Sequence, residues 1–395
     1  MEFSLDIFII YGNVSFETIR HQGLHLIILN LIFSMQSDIL YKVFLMIAIA
    51  SIALGGFFLY QGMNMPAASG LLICGFAALA ISLRGFKKFR GFSYTCWIFT
   101  AVACAMFYPE WFTGIGNFSF KKLIVPLLQI IMFGVGSTMG LKDFAGIVRT
   151  PYAVFVGIVC QFTIMPIVGF TLAHTFDFPA EIAAGVILIG CVPSGLASNV
   201  MSYIANANVA LSVTLTALAT LMAPVITPFL MKLLAGQFVE IGFLSMMWDI
   251  TQIVILPIGA GLLYNYFLGG KFAWLDRAMP VLSMVGIALI ITVITAAGRD
   301  SLLAVGHLLV IASLIHNLTG YSLGYACCKA LRMDEKTCRT IALEVGLQNG
   351  GLASGLALQM GKVATVGLAP AVFGPLMNIT GSSLAIWWHG RPPKE

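Results

Sequence analysis

Apolar stretches of about 20 residues recur along the whole chain, separated by short polar or basic interruptions. A helix needs a run of that length to cross the hydrocarbon core of a bilayer. The pattern predicts spans at 41–60, 66–83, 92–108, 121–141, 150–174, 180–205, 208–235, 245–268, 277–298, 302–330, 335–362 and 365–389, about twelve helices in all. Two of these spans are interrupted. In GCVPSGLASN, Pro193 removes a backbone donor, and Gly190 and Gly195 loosen the same turn. In EVGLQNGGLASG, Asn349-Gly350-Gly351 breaks the other. At each break, carbonyls lose their intrahelical partners and become available to a cation. The half-helix that follows presents free N–H groups and a positive dipole end, suited to an anion.

The two breaks are related. PSGLASN at 193–199 and NGGLASG at 349–355 share Gly-Leu-Ala-Ser at a fixed offset, and each lies on the fourth helix of a group of five. An odd number of helices per repeat forces the two copies into opposite orientations, the pattern of inverted-topology transporters. The predicted fold is therefore an all-α polytopic membrane protein. Residues 1–90 form an N-terminal extension with about two extra helices, a helical hairpin, and residues 91–390 form a ten-helix core. The core consists of two inverted five-helix repeats, at about 91–235 and 245–389.

Composition agrees with that class. The chain is 59% hydrophobic and 9% charged, with mean hydropathy +0.96, whereas a soluble domain carries roughly 25% charged residues. The net charge of +5 matters through its placement. One set of alternate loops, with the C-terminus, holds Arg84, Lys87, Lys88, Arg90, Lys142, Arg149, Lys271, Arg277, Lys329, Arg332, Lys336, Arg339, Arg391 and Lys394. The opposite set holds Lys121, Lys122, Lys232, Arg299 and Lys362. An excess of roughly three to one assigns the first set, and the C-terminus, to the cytoplasmic side of the cell (inner) membrane. The run RGFKKFR at 84–90 reads as a topology anchor dividing the hairpin from the core. Residues 1–22 are polar and acidic where a signal peptide is basic, the apolar stretch GLHLIILNLIFSM at 23–35 is short, and Met35 opens a more conventional start, so residues 1–34 are expected to be dispensable. The eight cysteines lie mostly inside apolar segments and read as small buried hydrophobes, with no zinc-ligand spacing and no disulfide framework.

Polar residues inside apolar spans carry the candidate chemistry. Glu344 has no Lys or Arg before Lys362, and Gln348 follows it by four residues. Ser198 and Asn199 follow the first break; Ser212 and Thr216, four apart, share one helix face; Gln161 stands alone in VCQFTIMP. Hydroxyl, amide and backbone oxygens with one carboxylate are hard ligands suited to a monovalent cation. A buried carboxyl that carries the proton itself is the alternative, and leads to proton-coupled or uncoupled transport. His316-Asn317 in SLIHNLTGY reads as packing, and Asp249 as a carboxylate near a helix start. An intramembrane enzyme needs metal ligands or a nucleophile–base pair at depth, and the chain has no HExxH and no pair of intramembrane aspartates, so no enzymatic activity is expected.

GCVPSGLASNVMSYIANANVALS and EVGLQNGGLASGLAL resemble the bile acid:sodium symporter (BASS) family, in particular its bacterial members. IIMFGVGSTMGLKDF and CQFTIMP are similar to its second and third helices, and the resemblance covers about residues 92–389. It implies that the two broken helices cross in a core domain, that a panel domain moves against it for alternating access, and that sodium is the coupling ion, with no other cofactor. It implies a first sodium site of Ser198, Asn199, Ser212, Thr216 and Glu344, and a second of Gln161, Glu344, Gln348 and the carbonyls of Val345 and Leu347. Substrate is implied beside the crossing, near Leu196, Asn349, Met377 and Asn378. Some bacterial members carry Thr and His where Leu196 and Met377 stand here, so the pocket reads as suited to an amphipathic or less polar organic anion. A related arsenite-exporter family uses a cysteine near the first break, where Cys191 lies, but the paired polar ligands favour the sodium-coupled branch. The expected partners are an organic anion, sodium ions and the lipid bilayer, and no nucleic acid.

Overall fold

The computed structural model describes residues 39–62, 65–86, 89–140, 149–269 and 271–393. The expectations for residues 1–34, Lys87, Lys88, Lys142 and Lys394 lie outside them. The chain enters α1 (Ile39–Tyr60) and α2 (Met65–Leu83), then α3 (Phe92–Phe107). One helical turn and a two-residue antiparallel strand pair lead to α4 (Phe120–Thr138) and α5 (Pro151–Thr175). The first interrupted helix is α6 (Ala180–Cys191) and α7 (Ala197–Ile204), followed by α8 (Val209–Ala235). Then come α9 (Phe243–Leu268), α10 (Ala273–Ala297) and α11 (Arg299–Ala330). The second interrupted helix is α12 (Glu335–Gly346) and α13 (Gly350–Gln359), and α14 (Leu368–His389) closes the fold.

Among the described residues, eight helices are long and apolar enough to cross a membrane: α1, α2, α4, α5, α8, α9, α10 and α11. The other four expected spans differ for identifiable reasons. α3 is 16 residues long. The spans at 180–205 and 335–362 are split at the expected breaks. α14 carries Asn378, Thr380, Ser382 and Ser383 along an otherwise apolar helix. Burial grades the long helices. In α1, 11% of the most apolar window is buried, against 56% in α8, so α1 is peripheral and α8 lies inside the bundle.

Packing separates the helices into two groups. α3, α4, α9 and α10 pack on one another, with α2 against α3. α5, α6, α7, α8, α11, α12 and α14 form the other, with α12 enclosed by α5, α7, α8 and α11. α13 and α14 touch both.

Three local expectations are corrected. Arg339, counted above among loop cations, lies inside α12 and is only 4% exposed. Its guanidinium donates to Ala205 O (3.1 Å), Trp388 O (3.2 Å) and Arg391 O (2.7 Å), and pairs with Glu335 (2.9 Å). It thereby satisfies carbonyls at the ends of α7 and α14, where helices leave acceptors orphaned. Asp249 is not in the first turn of its helix; α9 starts at Phe243, after Gly242. Gly190 does not loosen the first break. It is helical, and a Cβ there would lie 2.4 Å from Met165 O, so its smallness lets α5 and α6 approach.

Candidate functional site

The two interruptions meet as a short antiparallel bridge between Ser194 and Gln348. Gly195 N donates to Leu347 O at 2.8 Å, and Asn349 N donates to Pro193 O at 2.9 Å. Gly195 is required by proximity: a Cβ there would stand 2.9 Å from Gln348 O.

The carbonyls released at the breaks have found partners, which revises the expectation that they stand open. Cys191 O accepts from Thr227 (2.8 Å) and Val192 O from Gln161 Nε2 (3.1 Å). Val345 O accepts from Gln348 Nε2 (2.5 Å) and Gly346 O from Asn317 Nδ2 (2.7 Å). Buried backbone acceptors are costly to leave unpaired, so side chains replace the helical donors: Gln161, Thr227 and Asn317 from other helices and Gln348 from the break itself. A carbonyl has two lone pairs, and one partner leaves the second for an ion. Asn317, read from sequence as packing, is therefore a structural support of the break, and Thr380 donates to its Oδ1. Asn317→Ala should destabilise the protein by about 1–3 kcal/mol, the usual cost of a buried acceptor left unsatisfied. Thermal denaturation in detergent measures this, and an unchanged midpoint contradicts the assigned role.

Around the bridge the polar residues converge on Glu344, which is 2% exposed. Ser212 Oγ lies 2.5 Å from Glu344 Oε1, and Thr216 Oγ1 lies 2.9 Å from Oε2. Ser198 Oγ reaches Thr216 Oγ1 at 3.2 Å and donates to Gly195 O at 2.8 Å. Asn199 Oδ1 lies 2.9 Å from the Ser212 hydroxyl and 3.2 Å from that of Thr216. Ser212 and Thr216 each own one proton yet each faces both Asn199 Oδ1 and the carboxylate, so acceptor oxygens outnumber donors. Sequence reasoning missed Ser194, whose hydroxyl donates to Glu344 Oε2 at 2.6 Å. A serine inside a Pro-Ser-Gly break reads as linker; only the crossing brings it to a carboxylate 150 positions away.

Gln161 and Gln348 adjoin this cluster through the Ser194–Gln348 bridge. Gln161 Nε2 donates to Gln348 Oε1 at 2.9 Å, while Gln161 Oε1 is buried with no hydrogen-bond partner.

Beside the crossing lies a cavity of about 350 Å³, within the range of small-molecule sites. Leu196, Asn349, Met377 and Asn378 all line it, as do Ser194, Thr216 and Gln348 from the polar cluster. The first residues of α7 and α13, Ala197, Gly350 and Gly351, also line it. The remaining wall is mainly apolar, with Ile131, Ile287 and Ile291 from the α3–α4–α9–α10 group. Helix N-termini favour an anion and the isoleucines a hydrocarbon body.

Interrupted helices meeting around a buried carboxylate, beside a cavity between two packed groups, are the architecture of a secondary transporter. The profile of the sodium bile acid symporter family matches residues 125–305. The chain is 39% identical over 314 residues to a sodium-dependent transporter of Bacillus subtilis, covering 79% of this chain and 96% of that one. It is 34% identical over 268 residues to the probable chloroplastic sodium/metabolite cotransporter BASS1 of Arabidopsis thaliana, covering 68% and 67%. It is 31% identical over 252 residues to the ileal sodium/bile acid cotransporter of Oryctolagus cuniculus, covering 62% and 71%. The chain belongs to the sodium bile acid symporter family, and is a multi-span membrane protein of the transporter class.

Proposed function

We propose that this protein is a sodium-coupled secondary active symporter that imports an amphipathic organic monocarboxylate by alternating access. The observation that carries the reading is the acceptor-rich cluster at Glu344, with Asn199, Ser212 and Thr216 competing for two protons. An ionised carboxylate taken out of water costs several kcal/mol unless it is compensated. Sodium supplies that compensation: it takes the hydroxyl and amide oxygens as ligands and turns their protons away. The first site is then Ser198, Asn199, Ser212, Thr216 and Glu344, with Ser194 bonded to the carboxylate from the crossing. The second is Gln161, Gln348, Glu344 and the carbonyls of Val345 and Leu347. The orphaned Gln161 Oε1 supports it, since an unsatisfied buried acceptor costs about 1–3 kcal/mol.

Glu344 is shared by both sites and lies on α12, immediately before the bridge. Ion binding thereby fixes Gly195, Gln348 and Asn349 around the cavity, which couples ion to substrate. The carboxylate of the substrate sits at Asn349, Asn378 and the N-termini of α7 and α13, and its body lies along Leu196 and Met377. The inverted five-helix repeats and the two-group packing supply the movement, one group rocking against the other about the crossing. The cation bias of the loops puts the C-terminus in the cytoplasm. Two sodium ions per monoanion move one net charge, so the membrane potential adds about 2.3 kcal/mol per 100 mV to the sodium gradient.

Sodium should raise the thermal midpoint of the purified protein more than potassium at equal ionic strength, because only the cation that fits the oxygens binds the native state selectively. Asn199→Ala should reduce that difference. Equal shifts from the two salts would remove sodium from the proposal. Uptake driven by a pH gradient in sodium-free buffer would assign Glu344 to proton coupling instead.

A further inference from the structure

The basic run between α2 and α3 does more than separate the hairpin from the core. Arg84 and Arg90 line a second cavity, of about 560 Å³, whose opposite wall is α10 through Met284 and Val285. Tyr94 and Trp97 of α3 complete it. Tyr94 and Met284 line the substrate cavity as well. The Tyr94 hydroxyl donates to Met284 O at 2.9 Å, so a single hydrogen-bonded pair forms part of the wall between the two spaces. Among the described residues neither arginine is ion-paired with a carboxylate. Two arginines beside an apolar and aromatic wall match an anionic head on a hydrocarbon body: guanidinium forks suit a carboxylate bidentately, and Trp97 and Val285 line the space for the chain. The substrate cavity has the same division, a polar end and an apolar wall.

We infer that this cavity is a peripheral site for the same amphipathic carboxylate, held by Arg84 and Arg90 and separated from the substrate cavity by the Tyr94–Met284 pair. The inference rests on the anion-transport reading for its ligand and is independent of sodium coupling. An anionic phospholipid carries the same chemistry, and the choice of the transported acid follows from the wall shared with the substrate cavity. Arg84 and Arg90 lie on the side that the loop cations assign to the cytoplasm.

Trp97 reports occupancy directly. With purified full-length protein in neutral detergent and sodium-free potassium buffer, ω-bromoundecanoate should quench the fluorescence that Trp97→Phe removes, and should do so saturably. The double variant Arg84→Gln/Arg90→Gln should raise the half-saturating concentration about 10- to 150-fold, the range expected on loss of charge-assisted hydrogen bonds. The proposal is overturned if ω-bromoundecanol quenches as the acid does, if the double variant behaves like the parent, or if a brominated phosphatidylglycerol quenches where the acid does not. Because the readout involves neither sodium nor transport, it can fail while the symport reading stands, and it can succeed while sodium coupling fails.

Discussion

Glu344→Ala should abolish sodium-dependent uptake in proteoliposomes. Glu344 is the one carboxylate in a cluster otherwise built of hydroxyls and amides, and it is 2% exposed. Both proposed ion sites lose their negative charge, and Ser194, Ser212 and Thr216 lose an acceptor. Truncating one partner of a buried, hydrogen-bonded charge pair costs about 2–5 kcal/mol, or about 30- to 4,000-fold in ion affinity. Coupling then fails at physiological sodium. The sodium-specific thermal shift should disappear in the same variant, which separates loss of ion binding from loss of folding. Near-normal uptake by Glu344→Ala would overturn the assignment of both sites.

Gly195→Val should come second in size. The glycine lies where the two breaks face each other, and the atom that a Cβ would meet, at 2.9 Å, is the backbone oxygen of Gln348. Backbone cannot swing aside as a flexible side chain does, so the bridge must open. Overpacking costs about 1–3 kcal/mol. Losing the bonds from Gly195 N to Leu347 O and from Asn349 N to Pro193 O adds about 0.5–1.5 kcal/mol each. The expected result is uptake reduced by at least about tenfold together with loss of the sodium-specific thermal shift. Gly350→Ala, beside the other break, is the contrast. The nearest atom to its Cβ is Pro370 O at 3.6 Å, an ordinary contact, so the thermal shift should persist. If the two variants behave alike, close approach at Gly195 is not what holds the crossing.

Much of the candidate site was legible because polar groups are expensive in an apolar segment. Glu344, Gln348, Gln161, Ser212 and Thr216 stand out against their neighbours in the chain, and all except Gln161 touch one connected cluster with Ser198 and Asn199, which Gln161 joins through Gln348. The proline and glycine positions marked both interruptions within a few residues. Ser194, Thr227 and Asn317 were not legible as parts of the site. Serine and threonine in membrane helices commonly bond to their own helix, and nothing local says that Ser194 or Thr227 does otherwise. Arg339 was misplaced for a related reason. A cation near a span end resembles a loop residue until the carbonyls of Ala205, Trp388 and Arg391 are seen to surround it.

The sequence by itself determined the membrane class, the positions of the helices and the two places where they break. Each follows from interactions within one segment: hydrophobic length, a missing donor at Pro193, a capping side chain at Asn349. Only the tertiary structure decided how the released carbonyls are satisfied, which hydroxyls reach the carboxylate, and that Arg84 and Arg90 line a space sharing a wall with the cavity beside the crossing. Those contacts join residues far apart in the chain. A buried donor or acceptor is paired with whatever helix packing brings within reach, and no periodicity along one segment encodes that choice.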